Sequence, residues 1–241
     1  MTVQVFVTVG TSALTNNPDL YHNQSLPQLR ERLQQPDIYN RLKSQLSDRL
    51  SANLADYGGP DDTRDFRRFT AELGSLLAMK RQELFDPDPA NNRLILLYTD
   101  TKEGQLCAEV LEQVLASDSG RKNLPCRVKS HRIASLKVEN TESFKEGLNN
   151  LKRIISGEIE SRIPNIQKFF NITGCYKAII PYATAIAWDY NMLLCYLYEN
   201  SSELIMIPRP LETCVNIFST LVETTQIKFS GPRRRTGSLA D

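Results

Sequence analysis

The sequence is poor in the residues that carry most metal and hydrolytic chemistry. Only two histidines occur, His22 and His131, and neither lies near paired cysteines, so no zinc site is expected. The five cysteines (Cys107, Cys126, Cys175, Cys195, Cys214) are scattered, odd in number and form no CxxC pair. They read as reduced, mostly buried thiols of a cytoplasmic protein rather than a disulfide framework. No run of about eighteen apolar residues is present, and the N-terminal MTVQVFVTVG has no basic region ahead of it, so neither a membrane span nor a secretory leader is read. Charge of one sign is missing too: 29 Lys and Arg oppose 28 Asp and Glu, a formal net charge of +1, which leaves no field for gripping long nucleic acid. Three motifs are absent: GxGxxG, GxxxxGK[ST] and GxSxG. Without the last, His22 near Ser12 is a poor case for a serine hydrolase.

What is present is a chain of alternating apolar runs and helical periods. Residues 3–9 (VQVFVTV) read as a buried first strand ending in Gly10, followed by a polar loop over 15–25. Leucines at 26, 29, 33, 42, 46, 50 and 54 suggest two helical pieces separated by Pro36. Residues 63–84 form a further helix, with Phe66, Phe69, Leu73, Leu76 and Leu77 on one face. Strands follow at 93–99, 127–134 and 167–173, with helices at 103–117, 141–161 and about 176–190 between and after them. Residues 193–198 and 203–208 are two strands whose link is too short for a parallel crossover, so they pair as an antiparallel edge. A weaker helix is expected at 211–226 and a disordered tail at 231–241. The fold class is α/β: a Rossmann-like, mostly parallel sheet with helices on both faces and a helical insertion at about 26–89, in one domain over 1–230.

Ligands of such sheets bind outside the carboxyl ends of the strands. Three exits hold candidate residues. The first is Gly10-Thr11-Ser12-Ala13, where small residues let backbone N–H groups and hydroxyls approach a phosphate. The second is Asp100-Thr101, after the 93–99 strand. The third runs from Asn171 through Thr173 and Gly174 to Lys177. A lysine in the first turn of a helix opposes the macrodipole unless an anion is bound there, so Lys177 reads as a candidate anion contact, the alternative being a solvated surface lysine.

These exits, VFVTVGTSAL at 5–14 and FFNITGCYKAIIPYAT at 169–184, together with ELIMIPRP at 203–210, resemble the CRISPR-associated Rossmann-fold (CARF) proteins, and among them the stand-alone ring nucleases. The resemblance implies a homodimer that binds a cyclic oligoadenylate, most often the four-membered ring. It implies cleavage without metal or cofactor, leaving 2′,3′-cyclic phosphate ends. It places the family's serine on Ser12 and its lysine on Lys177 as catalytic residues, with Gly10, Thr11, Ala13, Asp100, Thr101, Asn171, Thr173 and Gly174 as ligand-binding neighbours. Cys175 departs from the pattern, because relatives commonly have a second glycine there. Neither histidine follows an arginine at the spacing of a HEPN ribonuclease, and few residues follow 210, which together favour an enzyme that removes the signal over a sensor fused to an effector. A binding module that holds the ring uncut, and an unrelated nucleotide enzyme, remain the competing classes.

Overall fold

The computed structural model describes residues 1–22, 24–58, 69–137, 140–159, 166–198, 201 and 203–209. Its centre is β1 (Thr2–Val9), whose alternate side chains are buried on opposite faces. A strand with no solvent face needs apolar, β-branched residues on both sides, which the VQVFVTV run supplies. β2 (Asn92–Thr99) and β4 (Ile166–Asn171) flank it in parallel, with Val5 opposite both Leu94 and Phe169. β3 (Arg127–Ile133), β5 (Leu193–Leu197) and β6 (Leu204–Ile207) complete the order β3-β2-β1-β4-β5-β6. Among the described strands only β6 runs antiparallel, pairing Leu194 with Ile207, as the short link before it requires. The chain leaves β1 toward one side of the sheet and β4 toward the other, so their exits diverge at a topological switch point.

Helices cover both faces. Val3, Val5, Val7 and Val9 pack under α1 (Ser12–Thr15), α2 (Leu26–Arg32), α3 (Pro36–Ala55), α4 (Ala71–Arg81) and α5 (Lys102–Ala116). Phe6 and Phe170 meet edge to face, centroids 6.3 Å apart, on the opposite face, under α7 (Thr141–Ile159) and α8 (Ile180–Asp189). The helical stretch between β1 and β2 is therefore part of the first layer. Its α4 lies on β1, β5 and β6, and its α3 packs on α5.

Local differences from the sequence reading have local causes. Pro36 opens α3 at a position where its missing N–H is not needed, so it separates two helices by starting the second. The 15–25 loop contains the end of α1 and a 3-10 turn at Pro18–Tyr21. The six-residue α6 (Asp118–Asn123), capped by Ser117, was not expected. β4 ends at Asn171, so Thr173 and Gly174 belong to the turn beyond it. The helix expected from 176 starts at Ile180, because Pro181 sets its first turn, and Lys177 lies on a 3-10 turn (Lys177–Ile179) ahead of it. Of the helix expected at 63–84, residues 63–68 lie outside the described residues, and α4 covers only Ala71–Arg81, capped by Thr70, whose hydroxyl accepts from the Leu73 N–H. The expected helix at 211–226 and the tail at 231–241 lie outside the described residues. Among the described residues no helix is long and apolar enough to cross a membrane.

Candidate functional site

The exits of β1 and β4 touch. A Cβ on Gly10 would fall 2.5 Å from the Gly174 carbonyl oxygen, and one on Gly174 would fall 2.6 Å from the Thr8 carbonyl oxygen and overlap the Glu72 carboxylate. Both glycines are there for close approach, since a side chain at either would push the two turns apart. Glu72, in the first turn of α4 and 1% exposed, is wedged between them. Its Oε1 accepts from the Gly10 N–H at 2.7 Å and its Oε2 from the Ser12 hydroxyl at 2.7 Å. The Ser12 oxygen in turn accepts from the Ala71 N–H at 3.0 Å. A buried carboxylate is tolerated only when hydrogen-bonded, and here backbone and serine do this work with the helix N-terminus adding favourable field.

The β4 exit is tied from behind. Asn171, fully buried, donates to Ser75 Oγ at 2.7 Å and accepts from the Thr173 N–H and hydroxyl at 3.1 and 2.7 Å. Thr173 Oγ1 also accepts from the Leu197 N–H at 2.9 Å, which fixes the turn to β5. The backbone at Cys175 is not left-handed, so a cysteine fits there without the strain expected where relatives have glycine. Burial pushes its thiol up to about 12, which keeps it protonated and a poor nucleophile near neutrality.

In front of these turns lies a cavity of about 850 Å³. That size holds a nucleotide-scale ligand. Of the residues expected from sequence, Gly10, Thr11, Thr101, Gly174 and Lys177 line it. Ser12, Ala13, Asp100, Asn171 and Thr173 are not in its wall. Ala13 is buried against the core, and Ser12 faces α4. Thr101 caps α5, accepting from the Gly104 N–H at 3.0 Å.

Asp100 instead builds the neighbouring turn. Its Oδ2 accepts from the Ser135 N–H at 3.2 Å, and Ser135 holds a left-handed φ of 63°. Asn150 donates to the Ala134 carbonyl at 2.8 Å, and a Cβ on Gly147 of α7 would fall 2.5 Å from Leu136 Cα. This restrained turn delivers Lys137 to the cavity wall. Lys137 and Lys177 make no ion pair among the described residues. Arg30 and Glu103 complete the charged lining and pair with each other at 2.6 Å. Sequence reasoning missed Glu72, Arg30, Lys137 and Glu103. The two acids carried one usable signal, an acidic side chain in a helix's first turn, but nothing local tied them to residues 10, 12 or 30. Apart from Thr8 and Thr99 the remaining lining is mostly apolar, with Leu26, Leu136 and Phe144 prominent, and suits the face of a base.

At the other end of the sheet, Glu158 gathers Lys129, His131 and Arg93. Burial pushes its carboxyl up, but hydrogen bonds from Lys129 and His131 outweigh this and hold it below the ordinary range. Among the described residues no group of three His, Cys, Asp or Glu side chains is placed to hold a metal ion.

A family model described as CRISPR-associated protein (Cas_APE2256) matches residues 67–210, well over half of the chain. The match takes in Glu72, Glu103 and Lys177 and leaves out β1 and its exit. No curated protein matches the chain.

Proposed function

The chain belongs to the CRISPR-associated family matched over residues 67–210, and from that membership we propose that it binds a cyclic oligoadenylate in the cavity at the ends of β1, β2 and β4 and cleaves it. The observation that carries the reading is Lys177: an exposed cation without an ion pair among the described residues, in the cavity wall beside the Gly10–Gly174 contact. The reaction needs no enzymic nucleophile. The ring's 2′-oxygen forms a bond to phosphorus, the bond from phosphorus to the 5′-oxygen breaks, the 2′-proton leaves and the 5′-oxygen gains one. The products are 2′,3′-cyclic phosphate and a free 5′-hydroxyl. The protein's task is to align those atoms and to neutralise charge growing on the phosphoryl oxygens. Lys177 would supply a point charge for that, and the backbone of Gly10, Thr11 and Gly174 a close floor.

Ser12 enters this scheme through Glu72. Its hydroxyl is already donated, so contact with the ligand would require it to rotate and give up a 2.7 Å hydrogen bond. A homodimer would bring two copies of the site to a symmetric ring, and Tyr176 and Tyr182, both about half exposed near Lys177, would lie in the surface it covers.

Incubation with cyclic tetra-adenylate in EDTA is expected to give linear products ending in cyclic phosphate. Lys177→Ala is expected to slow this by about 10²–10³, the usual cost of one electrostatic contact to a transition state. A ring left intact by the wild-type protein would overturn cleavage. The committed Ser12 hydroxyl favours one second reading, a module that binds the ring uncut; tight calorimetric binding without product would select it.

A further inference from the structure

Among the described residues, Glu103 is the one acid in a cavity wall whose other charges are Arg30, Lys137 and Lys177. It is the second residue of α5 and 2% exposed. Its Oε1 accepts from Arg30 Nε at 2.6 Å, while its Oε2 is closed to solvent and has no hydrogen-bond partner among the described residues. The start of α5 does not need this carboxylate as a cap, because Thr101 already accepts from Gly104 through its hydroxyl and from Gln105 through its carbonyl. A buried carboxylate oxygen left without a partner is rare in native structures and calls for a reason.

Arg30 approaches Glu103 through Nε, so its two terminal nitrogens lie outside the pair, on a side chain that is 57% exposed. It can pivot toward the cavity without leaving Oε1. The pair then presents two things side by side: a guanidinium end suited to phosphate and one carboxylate oxygen that requires a donor. A 3′–5′ linked ribonucleotide carries the matching pair on adjacent carbons, a 3′-phosphate and a single free 2′-hydroxyl. One free acceptor meets one free O–H. A vicinal diol would call for two oxygens, and an exocyclic amine would bring two N–H groups to one acceptor.

We propose that Arg30 swings toward the cavity when the ligand binds and uncovers Oε2, and that the pair then reads a ribose of the ligand, Oε2 accepting from its 2′-hydroxyl and Arg30 taking the adjacent phosphate, so that Glu103 selects ribonucleotide over deoxyribonucleotide rings. This rests on the ring-binding reading above. Glu103 makes and breaks no covalent bond, and its role is read in binding.

The test is calorimetry in EDTA with cyclic tetra-adenylate, its all-2′-deoxy counterpart and a ring lacking the adenine amine, in the Lys177→Ala background so that cleavage does not intrude. The ribose ring is expected to bind about ten- to hundredfold more tightly than the deoxy ring, the range for one hydrogen bond to a charged group. Adding Glu103→Ala should collapse that ratio to a few-fold, whereas adding Arg30→Ala should weaken both rings. Equal binding of the two rings before Glu103 is changed, a comparison that needs no Glu103 variant to fold, overturns the proposal and leaves ring binding intact. So does a ratio that survives Glu103→Ala, or a preference lost with the adenine amine instead of the 2′-hydroxyl. If no ring binds at all, including to the wild-type protein, the ring-binding reading falls and takes this one with it.

Discussion

Two acids stand at the second position of two helices, both nearly buried and both beside the same cavity, and they are held in opposite ways. Glu72 on α4 has both oxygens occupied, by the Gly10 N–H and the Ser12 hydroxyl. Glu103 on α5 has one oxygen on Arg30 and one on nothing. Helix dipole, burial and residue type are shared, so the difference lies in the partners. A carboxylate whose hydrogen-bonding capacity is spent on the chain's own backbone holds the fold. One whose capacity is left over is available to something else.

The largest expected effect tests the first half of that contrast. Glu72→Ala strands the Gly10 N–H and the Ser12 hydroxyl, both half-buried, and since a fully buried group left unpaired costs about 1–3 kcal/mol, roughly 3 kcal/mol should be lost in denaturant unfolding for the two together. Glu103→Ala removes only a pair to an exposed arginine and should stay within about 1 kcal/mol of wild type. Equal losses would erase the contrast. Next comes Gly174→Ala, whose methyl would overlap the Glu72 carboxylate and press on the Thr8 carbonyl. Overpacking of this kind costs about 1–3 kcal/mol, and combining it with Glu72→Ala should cost less than the sum, because one of the two clashes is then gone. The smallest effect is far from the cavity. The Glu158 carboxyl is held below its ordinary value, so the stability it contributes is present above the unfolded-state range and is lost as pH falls through its folded value. Thermal unfolding followed from neutral to acid pH should show Glu158→Gln losing part of the wild-type decline, with no change in the Glu72–Glu103 difference.

Much of this architecture was legible in the sequence. Continuous apolar runs mark buried parallel strands, and the short link after 198 dictates the antiparallel edge. The sequence also reads small and hydroxylated residues at the exits of β1 and β4, and the structure brings those two exits into contact. What did not follow was the direction of side chains at those exits. Ser12 and Gly10 lie two residues apart, yet the first faces α4 and the second the cavity. Asp100 reads as a ligand contact one residue beyond β2, but its Oδ2 serves a turn 35 positions along the chain and its Oδ1 faces Arg132 at 3.7 Å. Glu72 sits between Phe69 and Leu73 in a helical period, where an acid reads as the solvated face. Its partners are about sixty residues away, and no local pattern reports a contact at that separation.

The contact between Gly10 and Gly174 also bears on kinetics. Two turns locked against each other, and pinned by α4 behind them, form a floor that is already set when a ligand arrives. Little of the binding energy goes to ordering loops, and association is expected to be a single concentration-dependent step without a slow isomerisation after it. The Arg30 side chain, exposed and held to Glu103 through one nitrogen, is then the part of the site left to adjust, on the timescale of a rotamer change rather than a loop closure.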